Sequence, residues 1–474
     1  MIETVDERLG DGLERTVVGH HARRLRKLGW GHVLEPRTGR FAADRPVRDG
    51  NLVEVLVDGD SAMPAMAEAI ANAQSHVHIA GWHATPTFHV TREPGAPPLR
   101  ELLASVAKRA PVRVLMWAGP PLPVFEPTRR RAKAARDGFV DGTGVRCVLD
   151  SRERTMHCHH EKIVIVDDTV AFVGGMDFTA LDGDRHDTSA HRADRPLGWH
   201  DVAVRLRGPI VADVAEHFRR RWIEIAGEDL PEPAVAPPAG TTSVQLVRTI
   251  PEKTYKFAER GEFTILDAYL RALRSAESLI YLENQFLWSP EVVEVLVDKL
   301  QRPPSDRFRL LLVLPKRPSS GADTTKGQLG RLLAADDGAG RLLATTLTAH
   351  DGATEVPVYV HAKVGIVDDS WMTIGSANLN EHSLFNDTEV NVVVDDAELI
   401  RRTRLLLWAE HLQLPADSID GDPASAIDTQ WRPIAEKQAR LGDRPRSHRL
   451  TLLPGVSKRT ERLNGPLRGL LVDG

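Results

Sequence analysis

Apolar and polar residues alternate along the chain in a way that predicts strands and helices in a regular order. Residues 51–58 alternate as in a strand with one buried face, and 64–73 carry apolar residues at helical spacing. Residues 75–82 predict the next strand. An amphipathic helix over 263–276 and a strand over 278–286 repeat this order. The chain therefore contains the same local pattern twice.

Longer apolar runs extend the repeat. Runs of this kind are typical of strands that are buried on both faces. The matched segments are 112–117 with 308–314, 145–149 with 356–360, 199–206 with 388–394, and the closing helices 210–226 with 397–412. Alternation of strands and helices predicts a duplicated α/β unit, and we expect mixed, mostly parallel sheets.

A proline-rich stretch separates the two copies. Residues 228–243 have a proline density that neither a helix nor a central strand sustains, so they predict a linker. We expect a first half over 51–227 and a second half over 244–414. Residues 1–50 form an N-terminal extension, and 415–474 form a polar C-terminal tail to which the pattern assigns no role. The length of 474 residues also favours two domains.

Composition and charge are those of an ordinary soluble protein. The net charge of −5 argues against a chain-wide basic surface for nucleic acid or anionic lipid. Two cysteines, Cys147 and Cys158, provide no disulfide framework and fit a reducing compartment. The first residues lack a signal-peptide pattern, and no apolar run reaches the roughly 18 residues of a membrane span. We expect a cytoplasmic protein without a transmembrane segment.

One string within the repeat carries recognisable chemistry. The pattern H-x-K-x4-D occurs twice in the same register, each time followed by a glycine-containing pair. The first copy comprises His160, Lys162, Asp167, Gly174, Gly175 and Asp177, and the second comprises His361, Lys363, Asp368, Gly375, Ser376 and Asn378. Residues two apart in an extended segment point the same way, so each histidine projects beside its lysine.

Such pairs suit a phosphodiester. An ammonium is a point charge for phosphate oxygens, and an imidazole attacks phosphorus or moves a proton near neutral pH. Gly175 and Gly375 allow the backbone to approach an anion closely, and Ser376 and Asn378 add neutral donors. The aspartate that closes each motif falls at a turn, so we interpret it as structural. Two facing copies would clamp one phosphate.

This duplicated H-x-K-x4-D pattern resembles the phospholipase D superfamily. The second copy matches the family pattern. The first has Gly175 where serine is common and Asp177 where asparagine is common, and this variant is similar to the first motif of many phospholipases D. Three further segments resemble the family: 281–286, which includes Glu283 and Gln285; 185–188 with His191; and 199–202, which includes Asp201. The resemblance covers most of residues 50–412.

The resemblance implies a fold and a mechanism. The fold is two pseudo-symmetric α/β/α-sandwich halves with the active site at their interface. The reaction is a ping-pong transfer in which His160 forms a phosphohistidine and His361 acts as general acid. Asp201 would orient His160, and Glu389 would orient His361. Both lysines and Asn378 would stabilise the pentacoordinate phosphorus, so no metal or other cofactor is expected.

The resemblance also implies a substrate. We expect hydrolysis of a glycerophospholipid at a membrane surface by a monomer, with water or another alcohol as acceptor. A phosphatidyltransferase of the cardiolipin synthase or phosphatidylserine synthase type differs mainly in the acceptor. A nuclease of the superfamily would show a broad basic groove, which the net charge of −5 does not support. The intact second motif argues against a non-catalytic lipid-binding protein.

Four other stretches have less specific interpretations. The run His157, Cys158, His159 and His160 resembles a zinc-ligand cluster, but no second pair follows at ligand spacing. In an extended segment His157 and His159 face away from His160, which favours a surface role. The basic run 129–136 is typical of a solvated helix face, although anionic lipid or nucleic acid would also suit it. Residues 179–198 and 321–327 are predicted to be loops beside the site.

Overall fold

Helices and strands alternate through both halves of the chain. A computed structural model describes residues 2–121, 126–153, 157–181, 183, 185–187, 191, 198–317, 322–350, 355–441, 444 and 446–456. The first half follows a long helix, α1 (Ile2–Leu28), and contains, in order, β1 (Val47–Val57), α2 (Asp58–Ala71), β2 (Val77–Gly81), α3 (Leu99–Ala107), β3 (Val112–Trp117), α4 (Arg129–Val140), β4 (Arg146–Asp150), β5 (Ile163–Val166), β6 (Val170–Gly174), β7 (Trp199–His200), β8 (Val202–Arg207) and α5 (Ile210–Ala226).

The second half repeats this order. It contains β9 (Thr242–Ile250), β10 (Glu262–Phe263), α6 (Thr264–Ser275), β11 (Leu279–Glu283), α7 (Pro290–Gln301), β12 (Arg309–Val313), α8 (Ala322–Asp336), β13 (Leu342–His350), β14 (Glu355–Pro357), β15 (Tyr359–Val360), β16 (Val364–Val367), β17 (Trp371–Gly375), β18 (Glu389–Val394), α9 (Ala397–Leu412), α10 (Pro423–Ala426), α11 (Arg432–Arg440) and β19 (Leu450–Leu452). The predicted helices and strands are thus confirmed, with ends that shift by a few residues. The match of 145–149 with 356–360 is wrong, because the counterpart of β4 is β13, which pairs with β12 as β4 pairs with β3.

The two halves contain sheets with the same strand order. The first sheet runs β4-β3-β2-β5-β6-β8-β1, and the second runs β13-β12-β11-β16-β17-β18-β9. β1 joins them, because Val53 pairs with Leu206 of β8 while Val47 pairs with Gln245 of β9. The expected α/β fold of two pseudo-symmetric halves is confirmed.

The expectation of mostly parallel sheets is wrong. Among the described strands of each sheet, parallel pairing joins β4-β3-β2 and β13-β12-β11, and the other links of the two orders are antiparallel. One antiparallel link in each sheet, β5-β6 or β16-β17, is a tight hairpin after the motif strand. Asp167 and Asp168 have φ of 56° and 53°, and Asp368 and Asp369 have φ of 51° and 47°. Two successive left-handed residues close a two-residue hairpin, which aspartate tolerates better than most residues.

Apolar side chains form one central core and two outer ones. The central core includes the inner faces of both sheets together with α5 and α9, whose Trp222 and Trp408 are fully buried. One outer core packs α2, α3 and α4 on the first sheet, and the other packs α6, α7 and α8 on the second. Because the central core draws on both halves, the halves are held against each other along the sheets that carry the two motifs.

Both chain ends pack on the second half. In α1, His21 Nδ1 lies 2.7 Å from Glu291 Oε1, and Arg24 forms an ion pair with Glu252 at 2.7 Å. In the C-terminal tail, β19 pairs with β13, and buried Trp431 lies 5.4 Å from Trp408 between ring centroids. Residues 457–474 lie outside the described part of the tail.

A predicted loop is partly helical. Helix α8 begins at Ala322, so the loop expected over 321–327 is wrong from residue 322 onward, while residue 321 lies outside the described chain. The helix forms because it buries one face: Leu329 and Leu332 are fully buried, and Trp288 Nε1 donates to Thr325 Oγ1 at 2.8 Å. In the described part of the chain, no helix combines the length and the apolar character needed to cross a membrane.

Candidate active site

The two motifs lie where the halves meet. His160 and Lys162 directly precede β5, His361 and Lys363 directly precede β16, and all four side chains are buried. Short β7 runs parallel to β15, pairing Trp199 with Tyr359. The segment before each motif is therefore paired with a strand from the opposite half.

Backbone hydrogen bonds fix both crossings. The amides of His160 and Glu161 donate to the carbonyl oxygen of Thr388, at 2.9 and 3.1 Å. The amides of His361 and Ala362 donate to the carbonyl oxygen of His200, at 2.8 and 3.1 Å. Each acceptor directly precedes one of the carboxylate residues, Glu389 or Asp201.

This crossing corrects the predicted partners of the histidines. His160 Nδ1 lies 3.0 Å from Glu389 Oε1, and His361 Nδ1 lies 2.7 Å from Asp201 Oδ2. The expected pairing of Asp201 with His160 and of Glu389 with His361 is wrong. Each histidine takes the carboxylate of the other half because its own segment pairs with the strand that carries that carboxylate. In both pairs the carboxylate holds Nδ1 and leaves Nε2 to face the site.

Residues predicted to bind phosphate lie behind these carboxylates. The hydroxyl of Ser376 donates to Glu389, which also accepts from Ser383 Oγ at 2.5 Å. At the equivalent position a Cβ on Gly175 would lie 2.3 Å from Asp201 Oδ1. A Cβ on Gly375 would lie 2.3 Å from Asn391 Oδ1. The close approach explains the glycines, and the serine donates to a carboxylate within the protein.

Each lysine is held by a different partner. Lys162 Nζ donates to Asp177 Oδ2 at 3.0 Å, whereas Lys363 Nζ donates to Gln285 Oε1 at 3.1 Å. Asn378, the counterpart of Asp177, donates through Nδ2 to the same Gln285 oxygen at 3.4 Å. The charge of Lys162 is therefore balanced by a carboxylate, whereas Lys363 is held by a neutral amide group.

Burial changes the protonation of the histidine–carboxylate pairs. Removal from water raises the pKa of Glu389 to about 8 and the pKa of Asp201 to about 7. Burial, and then the positive charge of Lys363, lowers the pKa of His361 well below its usual value. Both shifts disfavour the charged form of the His361–Asp201 pair before substrate binds.

Comparison with known proteins bears on this arrangement. A family model described as "Cardiolipin synthase, PLD-like domain" matches residues 269–407. "Phospholipase D A" of Dictyostelium discoideum is 27% identical over 82% of this chain and 38% of its own length. "Phospholipase D alpha 1" of Oryza sativa subsp. japonica is 26% identical over 78% of this chain and 66% of its own length. The chain belongs to the phospholipase D superfamily.

A solved member of this kind shares the fold. The phosphatidylserine synthase of Haemophilus influenzae Rd KW20 aligns with a TM-score of 0.53 and 11% identity, covering 79% of this chain and 87% of its own. The likeness concerns the fold alone. The first relatives are longer than this phospholipase D superfamily chain, which aligns with 38% and 66% of their lengths.

In this superfamily member the two motif aspartates support hairpins. The Asp167 carboxylate accepts from the amides of Gln74, Ser75 and His76, at 2.8, 2.7 and 2.9 Å. The Asp368 carboxylate accepts from the amides of Glu277, Ser278 and Leu279, at 2.7, 2.8 and 2.7 Å. Both tie a hairpin to the start of the neighbouring strand, away from the histidines.

A buried charge network supports the strand that carries Asp201. His200 lies between Asp58 and Glu283, with Nδ1 2.9 Å from Asp58 Oδ1 and Nε2 2.7 Å from Glu283 Oε2. Glu283 also lies 2.9 Å from His411 Nε2. The Asp58 amide donates to Asp201 O at 2.8 Å, and the Asp201 amide donates back to Asp58 Oδ1 at 3.1 Å. Glu283 thus supports the position of Asp201 indirectly, through its contact with His200.

The 185–191 segment joins the same network. His191 Nδ1 lies 2.7 Å from Asp187 Oδ2, and its Nε2 lies 3.2 Å from Glu410 Oε1. Burial opposes protonation of His191, but Asp58 and then Asp187 and Glu410 raise its pKa to about 9. Thr188 of this segment lies outside the described residues. Imidazolium and carboxylate charges here offset one another.

Several residues of the network escaped sequence-based prediction. Asp58, Glu410 and His411 sit in ordinary helical or strand-end contexts, and only their tertiary neighbours reveal them. Asp58 has an unusual backbone φ of 60°, but no sequence pattern predicts it. Three groups of described residues bring metal-ligand atoms within 4.8 Å: Asp58, His191, His200 and Glu410; His200, Glu283 and His411; and His157, His382 and Asp387.

One side chain beside His160 differs from expectation. His159 is buried, with Nε2 3.2 Å from Asp150 Oδ1 and Nδ1 2.9 Å from Thr388 Oγ1, so the surface role expected for it is wrong. The Trp199 ring lies beside His361, with ring centroids 4.2 Å apart and planes tilted by 38°, and the Arg185 guanidinium lies 3.4 Å from the Trp199 centroid. The His361 side of the site thus has an aromatic and a basic wall.

Proposed function

We propose that this protein is a phospholipase D-type phosphodiesterase that acts on the headgroup ester of a glycerophospholipid through a phosphohistidine. One observation carries the proposal. Two buried His–Lys pairs lie at one interface, and a carboxylate of the opposite half holds each histidine by Nδ1. The similarity to two phospholipases D supports a lipid phosphodiester as the substrate.

Binding would place the phosphate between the two motifs. Burial lowers the pKa of His361, and the charges of His160 and Lys162 from the other half lower it further, which supports a single shared site. The ammonium groups of Lys162 and Lys363 and the amide of Asn378 would stabilise the added negative charge as the phosphorus becomes five-coordinate. These side chains would supply that stabilisation without a cofactor or metal.

In the first step His160 would attack phosphorus through Nε2. Glu389 holds Nδ1, so the ring keeps the orientation and tautomer that leave Nε2 as the nucleophile. A bond forms between Nε2 and phosphorus, and the bond to the headgroup oxygen breaks.

His361 would act as the general acid in that step. Asp201 holds its Nδ1, so Nε2 can give a proton to the leaving headgroup alcohol. The negative charge of the bound phosphate opposes the surrounding lysines, and it therefore raises the pKa of His361 toward the protonated form. In the second step the same nitrogen takes a proton from the incoming water or alcohol.

Hydrolysis and transfer share this site. Water as acceptor gives phosphatidic acid, and an alcohol gives a new phosphatidyl ester, as in a cardiolipin or phosphatidylserine synthase. The match to a model described as "Cardiolipin synthase, PLD-like domain" favours transfer as the second candidate. A nuclease is less favoured, because the net charge of −5 does not suit a polyanion.

We further propose that the protein works as a cytoplasmic monomer that meets its lipid at a membrane surface. One chain supplies both motifs and both carboxylates, so a second copy is not needed to complete the site. The exposed arginines of α4, within the basic run 129–136, would suit anionic headgroups.

The test is a product screen with the full chain. Vesicles of fluorescent phosphatidylcholine are incubated with the protein in EDTA, with and without ethanol, beside a reaction with single-stranded DNA. The proposal expects phosphatidic acid in water and phosphatidylethanol in ethanol, with no product from His160→Ala or His361→Ala. DNA cleavage without a lipid product would overturn it.

A further inference from the structure

Three side chains beside the first motif come together from both halves, and the proposed reaction does not use them. His157 lies before the first motif, and His382 and Asp387 lie in the segment that leads to Glu389. The Nδ1 atoms of His157 and His382 are 3.1 Å apart, and Asp387 Oδ1 lies 3.5 Å from His157 Nδ1. All three ligand atoms lie within 4.8 Å of one another.

These separations match the edges of a tetrahedral metal site. Zinc binds imidazole nitrogen and carboxylate oxygen at about 2.0–2.1 Å, so two ligands on a tetrahedron are about 3.3 Å apart. The two measured edges, 3.1 and 3.5 Å, lie on either side of that value. Two imidazole nitrogens that face each other so closely cannot both carry a proton, and a metal ion would replace the proton between them.

The backbone presents two of the ligands from one turn. His382–Asn386 forms a single π-helical turn, and the amide of Asp387 donates to the carbonyl oxygen of His382 at 2.8 Å. Such turns are uncommon and are frequent at functional sites. The Asp387 carboxylate is fixed further, because its Oδ1 accepts from the Cys158 amide at 2.9 Å.

Burial leaves one carboxylate oxygen without compensation. Asp387 is 1% exposed, and its Oδ2 has no hydrogen-bond partner among the described residues. A buried carboxylate oxygen of this kind is costly unless a donor or a cation meets it. The His157 side chain, by contrast, is 18% exposed, which opens one side of the cluster to a metal ion and to a water ligand.

The other two ligand groups differ in charge. His191 and His200 have carboxylates at both ring nitrogens, and those acids favour the imidazolium form, which does not bind metal. The cluster at His157 instead pairs two imidazoles with one carboxylate. Among the three groups it has the donor set that a zinc-type ion prefers.

We propose that His157, His382 and Asp387 bind a divalent transition-metal ion of the zinc type, with water as the fourth ligand. The ion is a structural clamp. It joins the segment before His160 to the segment before Glu389, where the Thr388 amide already donates to Cys158 O at 3.1 Å. Because the clamp lies outside the reacting atoms, removal of the metal lowers stability and leaves turnover of the folded enzyme in place.

Zinc binding to the full chain tests the proposal. Protein stripped by a chelator is titrated with zinc chloride in competition with a chromogenic chelator, and cobalt is added separately to record its visible spectrum. We expect one tight equivalent, a tetrahedral cobalt spectrum and a zinc-dependent rise in Tm. His157→Ala should weaken the affinity by at least about 100-fold, since even partners behind a ligand commonly contribute about 10- to 100-fold.

Two further variants complete the design. Asp387→Asn keeps an oxygen for the Cys158 amide but loses the charge, and it should also lose the tight equivalent while it folds without zinc. His89→Ala removes an exposed histidine outside the cluster and should bind as the wild type does. The proposal is overturned if the wild type binds no zinc tightly, or if His157→Ala and Asp387→Asn bind it as the wild type does.

Discussion

Gly175 and Ser376 occupy equivalent positions in the two motifs and support their carboxylates in different ways. Ser376 donates a hydrogen bond to Glu389, whereas Gly175 leaves the space that the Asp201 carboxylate fills. Glu389 therefore has hydroxyl donors behind it, whereas the Asp201 carboxylate accepts from the backbone amide of Val202 at 2.8 Å. The departure of the first motif from the usual serine is thus a packing requirement around Asp201.

Replacement of Gly175 by alanine should disable the acid. The added Cβ would lie 2.3 Å from Asp201 Oδ1, so Asp201 must move and His361 must lose its orientation. We expect kcat to fall by about 10²-fold or more, the range of a lost general acid, while the protein stays folded. Gly12→Ala in α1, where a Cβ meets nothing within 4 Å, is the matched control. Full activity of Gly175→Ala in a phosphatidylcholine assay would contradict this role.

The lowered pKa of His361 predicts a difference between two pH profiles. The acid form is lost as pH rises through this pKa, so the basic limb of kcat/KM, which reports the free enzyme, should lie at low pH. Bound phosphate raises the pKa, so the basic limb of kcat should lie at higher pH. Coincident basic limbs would show that the phosphate does not act on His361.

At the scale of elements, the two motif hairpins are anchored by their aspartates. Each carboxylate accepts hydrogen bonds from three backbone amides at the start of the neighbouring strand. Each hairpin turns through two residues in the left-handed conformation. The motif aspartate therefore fixes the hairpin that begins one strand after its histidine and lysine.

Asp368→Ala should destabilise the protein with little effect on chemistry. It removes the acceptor of the amides of Glu277, Ser278 and Leu279, which are exposed or partly buried, and each lost hydrogen bond contributes about 0.5–1.5 kcal/mol. Thermal unfolding should show a lower Tm, and kcat/KM below that temperature should change by less than tenfold. Asp306→Ala, at an exposed position, serves as control. A large loss of kcat/KM with an unchanged Tm would place Asp368 in the reaction instead.

Sequence patterns predicted most elements but missed how the strands pair. Periodicity located the repeated helices and strands, since it reports which face of an element is buried. It does not report direction, so strands that alternate with helices suggested mostly parallel sheets. The Asp167 and Asp368 hairpins make β5-β6 and β16-β17 antiparallel, and the links on either side of each hairpin are antiparallel as well. The C-terminal tail was likewise unassigned, because β19 and Trp431 gain their role only by docking on β13 and Trp408.

At the scale of the whole molecule, the two halves complete each other. The duplicated motif predicted a shared site, but the partner of each histidine depends on how the halves dock, which no local pattern encodes. Asp201 reaches His361 and Glu389 reaches His160 across the interface. Asp58, Glu410 and His411 were missed for the same reason, since their contacts join distant parts of the chain. Each motif histidine therefore has its orienting carboxylate in the opposite half.

The most direct test of this account is capture of the covalent intermediate. Wild type, His160→Ala and His361→Ala are mixed with a phosphodiester that carries a good leaving group, quenched, and examined by mass spectrometry for a phosphorylated histidine. Such a leaving group needs no acid, so His361→Ala should still form the adduct on His160 but fail to activate water, and the adduct should accumulate. His160→Ala should show none. An adduct on His361, or none in any variant, would contradict the proposed mechanism.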